Sequence, residues 1–331
     1  MKIVLATPYK IGNYGAMLQA WALRRILSNM GHSVRYLNCR YMWPGVFGWR
    51  RLLCSKSIQG LKTKLHINKV MRRSIEELGG FDETQPYDSL SDLLKNPPEC
   101  DCLMSGSDQI FGPNYFAERK RYLPVLLGFG DSKIKRVVYG ASFGTNDIGQ
   151  LSVNNEIRSF FERIEHIGVR EKSGLGLLRQ LTGREGHWSP DPTLMLSKGD
   201  YVRAFNLGEA AQQKPYVCAY MLGWGGREHL RDEACKDMMK QYGAEEIHII
   251  RGEISLAQWL REILNASCVV TNSFHGHCFS LIFGKPCKIL GFDGDDAWRN
   301  ERNDDLQRTL LTHSLAQISA AGYDYLDGCL K

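Results

Sequence analysis

Chemistry is densest in the run Val269-Val-Thr-Asn-Ser-Phe-His-Gly-His-Cys-Phe279. An apolar strand is expected to stop at Asn272 and a helix to start near Gly276. Ser273, Phe274 and His275 then fall where the carboxyl end of a strand meets a helix N-terminus. Unpaired amide N–H groups and the helix dipole favour an anion at such a point. An imidazole there can hydrogen-bond a phosphate or carry a proton. The plainer reading, a capping serine beside a histidine that fills space, suits His277 better than His275.

Three further groups belong to the same kind of site. Arg170, in Gly168-Val-Arg-Glu-Lys172, follows a short expected strand and should point into a cleft, where a guanidinium gives two-pronged recognition of carboxylate or phosphate. The alternative is a salt bridge to Glu171 or another acid. In Trp298-Arg-Asn-Glu-Arg302, Arg299 or Arg302 could set a second cation beside His275, or simply open a solvated helix. Gly12-Asn13-Tyr14-Gly15 and Ser107-Asp108-Gln109 also follow strands. Asn13, Tyr14 and Gln109 suit contact with sugar hydroxyls, and Asp108 could take a proton from one. Turn-forming glycines with no ligand are the plain alternative, since the spacing is not the G-x-G-x-x-G of dinucleotide sites. No HExxH and no P-loop occurs.

The elements that must position these residues alternate as strand, loop and helix. Lys2–Ala6 reads as a buried strand, 16–30 as a helix and 33–37 as the next strand; such units build parallel sheets with ligands at the strand carboxyl ends. The rhythm resumes with strands at 100–104, 136–141 and 166–170 and helices at 155–164 and 173–181. Trp188-Ser-Pro-Asp-Pro-Thr193 is the expected linker. Beyond it come strands at 216–221, 246–250, 268–271 and 286–291, with helices at 226–242, 255–265, 276–283 and 301–311. The expected architecture is α/β, with two sheet domains, 1–190 and 191–331, and a cleft between them.

Composition narrows the class. The 331 residues are 43% hydrophobic and 24% charged, which excludes a wholly disordered chain and a polytopic membrane protein. The net charge of +6 hides an asymmetry: no Asp or Glu precedes Glu76, while 14 Lys and Arg do. Much of that charge follows an aromatic loop (Tyr41, Trp43, Phe47, Trp49) in a basic insertion at 41–75, from Arg50 and Arg51 to Arg72 and Arg73. Aromatics beside basic residues suit an anionic membrane surface; a solvated helix paired with the acidic remainder is the alternative. No nucleic-acid recognition motif accompanies the basic run. The cysteines read as reduced core thiols, without paired ligand spacing for a metal, and Asp293-Gly-Asp-Asp296 reads as a surface loop. The first residues lack a signal-peptide pattern and no apolar run reaches a membrane span, so a cytoplasmic protein, possible at the inner membrane face, is expected.

Five motifs stand in one order: Ser105-Gly-Ser-Asp-Gln109, Tyr139-Gly-Ala-Ser-Phe-Gly144, Val169-Arg-Glu-Lys-Ser-Gly174, Asp191-Pro-Thr-Leu194 and Thr271-Asn-Ser-Phe-His-Gly276. With the Gly-Asn-Tyr-Gly loop, they resemble the polysaccharide pyruvyl transferase family, from about residue 10 to about 310. The resemblance implies two Rossmann-like domains similar to GT-B glycosyltransferases. It also implies phosphoenolpyruvate as donor and a cyclic pyruvate ketal on a sugar as product, with no cofactor. His275 matches the family's histidine beside the donor phosphate, and Arg170 its arginine beside the donor. Ser273, Phe274, Gly276, Arg299 and Arg302 are expected to share the donor site. Ile110-Phe111 stands where the family often has a Trp. A lipid-linked oligosaccharide is the expected acceptor. A GT-B glycosyltransferase using a nucleotide sugar, and a non-catalytic carbohydrate-binding subunit, are the alternatives.

Overall fold

The computed structural model describes residues 1–42, 58–113, 123–130, 133–151, 155–208, 214–223 and 225–331. The expected aromatic and basic contacts of Trp43, Phe47, Trp49, Arg50 and Arg51 lie outside the described residues. The chain forms two compact units. Unit 1 contains Met1–Gly45, Phe81–Met195 and Trp298–Lys331; unit 2 contains Val46–Gly80 and Leu196–Ala297.

Unit 1 is built on six parallel strands: β1 (Lys2–Ala6), β2 (Ser33–Tyr36), β3 (Cys102–Ser105), β4 (Lys135–Ala141), β5 (His166–Val169) and β6 (His187–Trp188). Their order is β2-β1-β3-β4-β5-β6. Apart from Ser105, the buried residues of β1 and β3 are apolar, because a parallel sheet is covered on both faces. Helix α1 (Tyr14–Asn29) joins β1 to β2. Asn13 caps it, its Oδ1 accepting from the Ala16 amide at 3.2 Å.

Unit 2 has four parallel strands, β7 (Tyr216–Tyr220), β8 (Glu246–Ile250), β9 (Cys268–Thr271) and β10 (Cys287–Ile289), in the order β10-β9-β7-β8. One sheet face packs Val217, Ala219 and Val270 against Ala234, Cys235 and Met238. Burial pushes the Cys235 thiol up to about 11, so it sits there as a small neutral hydrophobe. Trp259, Phe279 and Tyr201 meet edge to face elsewhere in the same unit.

Two assignments differ from the sequence reading. The basic insertion carries a helix, α2 (Ile58–Glu77), that belongs to unit 2 and not to the first domain. Its Ser74 Oγ accepts from the Leu256 amide (3.0 Å), and Glu77 accepts from Ser255 Oγ (2.7 Å) and the Ala257 amide (2.8 Å). The end of α2 thus supplies acceptors to the first turn of a later helix, Leu256–Asn265. The second difference lies at the other end of the chain. Trp298–Lys331 returns to unit 1 instead of completing a 191–331 domain. The cause is the final helix, Leu315–Leu330: its Tyr325 hydroxyl donates to the Val138 carbonyl at 2.7 Å, and Ser319 Oγ donates to the Met195 carbonyl at 3.1 Å. No helix among the described residues is long and apolar enough to cross a membrane.

Candidate active site

In an open parallel sheet a ligand crevice forms at the carboxyl ends of the strands, where the strand order reverses. In unit 1 that point lies between β1 and β3, which return in opposite directions to β2 and β4. The loops of Asn13 and Tyr14 and of Asp108 and Gln109 follow those two strands. A buried glutamine ties them together. Gln19 donates to Thr7 Oγ1 (3.0 Å) and the Pro8 carbonyl (3.2 Å), while its Oε1 accepts from the Ser107 amide (3.1 Å). Ser107 Oγ then donates to the Gly140 carbonyl (2.9 Å), and the Gly140 amide donates to Ser189 Oγ (2.9 Å).

Gly106 allows β3 to turn into this layer. Its φ is +119°, and a Cβ there would stand 2.0 Å from the Tyr139 carbonyl oxygen. Both facts exclude a side chain. Gly106→Ala is expected to yield little folded protein. A Gly106→Ala protein that melts within a few degrees of the parent would contradict this close packing.

Asp108 adopts φ 68°, and its Oδ1 accepts from the Gln109 amide at 2.9 Å. Ile110 and Phe111 are fully buried, and Phe111 packs against Phe143 and Phe161. The departure at Ile110-Phe111 is therefore a core substitution and not a change in a sugar-facing surface. Gly140-Ala-Ser-Phe-Gly144 has the G-x-S-x-G spacing of a hydrolase elbow. Its Ser142 is wholly buried, however, and its hydroxyl donates to Glu171 Oε1 at 2.8 Å, where such an elbow would need a histidine.

Arg170 follows β5. Its Nε lies 2.9 Å from Glu171 Oε1, and its terminal nitrogen lies 2.9 Å from Asp191 Oδ2. Asp191 Oδ1 accepts from the Thr193 amide and hydroxyl. Burial opposes the Arg170 charge, but Glu171, Asp191 and Asp108 more than restore it and hold its pKa above the ordinary arginine value. The salt-bridge alternative is thus the one observed, and it sits at the centre of the site rather than outside it.

Arg302 behaves differently. It belongs to the helix Glu301–Leu310, in unit 1. Burial and the nearby Arg170 guanidinium push its pKa down to about 10, while Asp108 and Glu171 pull the other way. Arg302 Nε and Glu171 Oε2 are both enclosed and have no hydrogen-bond partner among the described residues. Enclosed polar atoms are rarely left so. A cation desolvated beside another cation is well placed to take an anionic ligand. Arg299 lies one turn earlier in the Gly294–Asn300 3-10 helix and adds to the positive field on Arg302. Arg299 and Arg302 therefore join Arg170 in unit 1, not His275 in a second domain.

The same helix fixes this arrangement through Asp305, whose carboxylate accepts from the Lys172 and Ser173 amides at 3.2 and 3.3 Å. Those amides open the helix Ser173–Thr182 directly after Arg170-Glu171. Burial raises the Asp305 pKa, with the two amides working against that shift.

In unit 2 the strand order reverses between β7 and β9. Asn272 bridges that point: its Oδ1 accepts from the Leu222 amide (2.7 Å) and its Nδ2 donates to the Leu222 carbonyl (2.9 Å). The helix Phe274–Ile282 starts here, and Ser273 Oγ caps it through the Gly276 amide at 3.2 Å. Gly276 is required by close approach: a Cβ would lie 2.5 Å from Thr271 Oγ1. His275 stands in the first turn, 6% exposed, with the Phe274 ring edge-on to it at 5.2 Å between centroids. His277, two residues further along, is also buried.

Comparison with known proteins decides the relationship. The sequence model of the family described as polysaccharide pyruvyl transferase matches residues 13–293. The chain belongs to that family. A search of curated proteins finds no match. Among solved structures, the pyruvyl transferase family member described here is similar to a protein assigned as a UDP-N-acetylglucosamine 2-epimerase from Listeria monocytogenes (11% identity over 97% of this chain and 90% of that one, TM-score 0.50). An α-glucosyltransferase in complex with UDP and DNA aligns over 100% of this chain and 97% of that one, at 12% identity and TM-score 0.49. The Listeria likeness speaks for the fold alone: α/β, with two Rossmann-like units of the GT-B kind.

Of the expected residues, unit 1 brings together Asp108, Arg170, Arg299 and Arg302, and the first turn of one helix in unit 2 gathers Ser273, Phe274, His275 and Gly276. Asn13 serves as a helix cap and Tyr14 is buried at 4% exposure. Lys10, in the same loop, is paired with Glu83. Sequence reasoning missed Gln19 and Asp305. Gln19 leaves one trace, a lone amide among Met17, Leu18, Ala20 and Trp21.

Proposed function

We propose that this transferase moves the pyruvyl group of phosphoenolpyruvate onto two hydroxyls of a sugar as a cyclic ketal. The supporting observation is family membership together with His275 in the first turn of a capped helix, at the strand-order reversal of unit 2. In this reading protonated His275 gives its proton to the methylene carbon of phosphoenolpyruvate, leaving an oxocarbenium-like centre at C2. One sugar hydroxyl adds to C2 and loses its proton, returning the histidine to its charged form. The C–O bond to phosphate then breaks, the second hydroxyl closes the ring, and its proton leaves with the phosphate. Each turnover thus consumes two hydroxyl protons, one ending on the new methyl group and one on phosphate. The helix N-terminus suits the leaving phosphate. Arg302 is the proposed anion-binding cation of unit 1, with Arg299 and the carboxylate-paired Arg170 as its neighbouring cations. Asp108 and Gln109 are proposed to steer sugar hydroxyls.

The test is phosphate release from phosphoenolpyruvate across a panel of free and lipid-linked sugars, with mass spectrometry for the added pyruvate. Phosphoenolpyruvate should also raise the melting temperature while UDP-sugars do not, because only a ligand of the native state shifts unfolding. Stabilisation by a UDP-sugar alone would replace this reading with glycosyl transfer. A lipid-linked acceptor, a cytoplasmic location and contact of 41–75 with an anionic inner membrane face are finer parts of the proposal; sedimentation with anionic vesicles tests that contact.

A further inference from the structure

Unit 2 contains a groove of about 810 Å3 between α2 and the start of the helix Leu256–Asn265. Lys69, Arg72 and Arg73 line it from α2. Their spacing of three and four residues puts them on one helix face. Glu76, Glu253 and Gln258 are among its other polar lining residues. Arg73 is engaged by Glu77 at 3.2 Å, whereas Lys69 and Arg72 form no ion pair among the described residues.

The groove is held open by fixed contacts. The His66 ring nitrogen lies 3.1 Å from the Glu253 carbonyl oxygen, and Ser74 and Glu77 pin α2 to the first turn of the facing helix. Its place in the sheet is also informative. The facing helix follows β8, and the helix of His275 follows β9, with β7 between the two strands. In a parallel sheet both helices start at the carboxyl edge, and strands two apart are separated by roughly 10 Å. The groove therefore opens at the same end of unit 2 as His275, displaced along the sheet by about the length of one or two sugar rings. Mixed lining of this kind matches a ligand with two chemistries. Cations take phosphate, and carboxylates with an amide take sugar hydroxyls.

We propose that this groove binds the phosphate-bearing end of a glycan. The proposal rests on the reading of the protein as a sugar-modifying transferase and assigns the groove to the acceptor. Calorimetry with glucose 1-phosphate, glucose and inorganic phosphate tests it, on the parent and on the double variant Lys69→Glu, Arg72→Glu. Both side chains are exposed, so the variant keeps the fold. Glucose 1-phosphate should bind the parent more tightly than glucose or phosphate alone. The variant should weaken that binding by about tenfold or more, as expected for losing charge-assisted contacts. Equal affinity in parent and variant, or equal affinity for glucose and glucose 1-phosphate, overturns the proposal. So does binding of anionic vesicles through Lys69 and Arg72 without binding of the sugar phosphate, which would make the surface a membrane contact instead. If the groove binds as stated but phosphoenolpyruvate is never consumed, the groove stands and pyruvyl transfer falls.

Discussion

Arg170→Ala lowers the free energy of unfolding by about 3–5 kcal/mol, the usual effect of removing one partner from a buried ion pair. The side chains of Arg170, Glu171 and Asp191 are 2%, 4% and 0% exposed. Without the guanidinium, two carboxylates lose their counter-charge in an interior that cannot hydrate them. Ser142, which donates to the same Glu171 oxygen, and Thr193, which donates to Asp191, are left facing uncompensated anions. Arg170→Lys keeps the charge, but an ammonium cannot span both carboxylates as the planar fork does. It should fall between parent and alanine variant. Denaturant unfolding measures both. A loss below about 1 kcal/mol for Arg170→Ala would mean that the three groups are not mutually dependent.

His275→Ala should reduce phosphate release from phosphoenolpyruvate by about 10²–10⁴-fold, the range for removing a positioned general acid. Alanine is the best helix former, so the first turn of Phe274–Ile282 persists and the melting temperature should stay close to that of the parent. Loss of turnover with retained stability separates proton transfer from packing. His277→Ala, two residues away in the same helix and also buried, is the control and should stay within a few-fold of the parent. Near-normal turnover in His275→Ala would remove the histidine from the chemistry.

Much of this organisation is legible in the chain. The strands Lys2–Ala6, Glu246–Ile250 and Cys268–Thr271 and the Ser255 cap stand where apolar runs and a capping serine put them. Parallel strands covered on both faces leave a continuous hydrophobic signal. The motif order also carries physical content, since Ser107, Gly140, Arg170, Ser189 and Asp191 interlock at one end of the unit 1 sheet. The final helix is less visible because Gly322 and Gly328 interrupt its sequence, although Ser314-Leu-Ala-Gln317 spells the capping box that the structure contains. Missing that helix misplaces Arg299 and Arg302, because only its docking on β6 and Pro192–Met195 reveals the return to unit 1. The bond from Asp305 to the Lys172 and Ser173 amides spans more than 130 positions, and no local pattern encodes a contact of that range.

The return of Trp298–Lys331 also orders events during synthesis. All residues of unit 2 precede Trp298, so unit 2 can complete its core on the ribosome while unit 1 still lacks its last segment. Until that segment emerges, β6 and Pro192–Met195 lack the final helix, although α1 already packs on Pro192–Met195, and the Arg170 cluster has no Arg302. The proposed anion-binding centre of unit 1 is therefore completed only after unit 2, and a released chain cut at residue 297 would display a folded second unit joined to an unfinished first one.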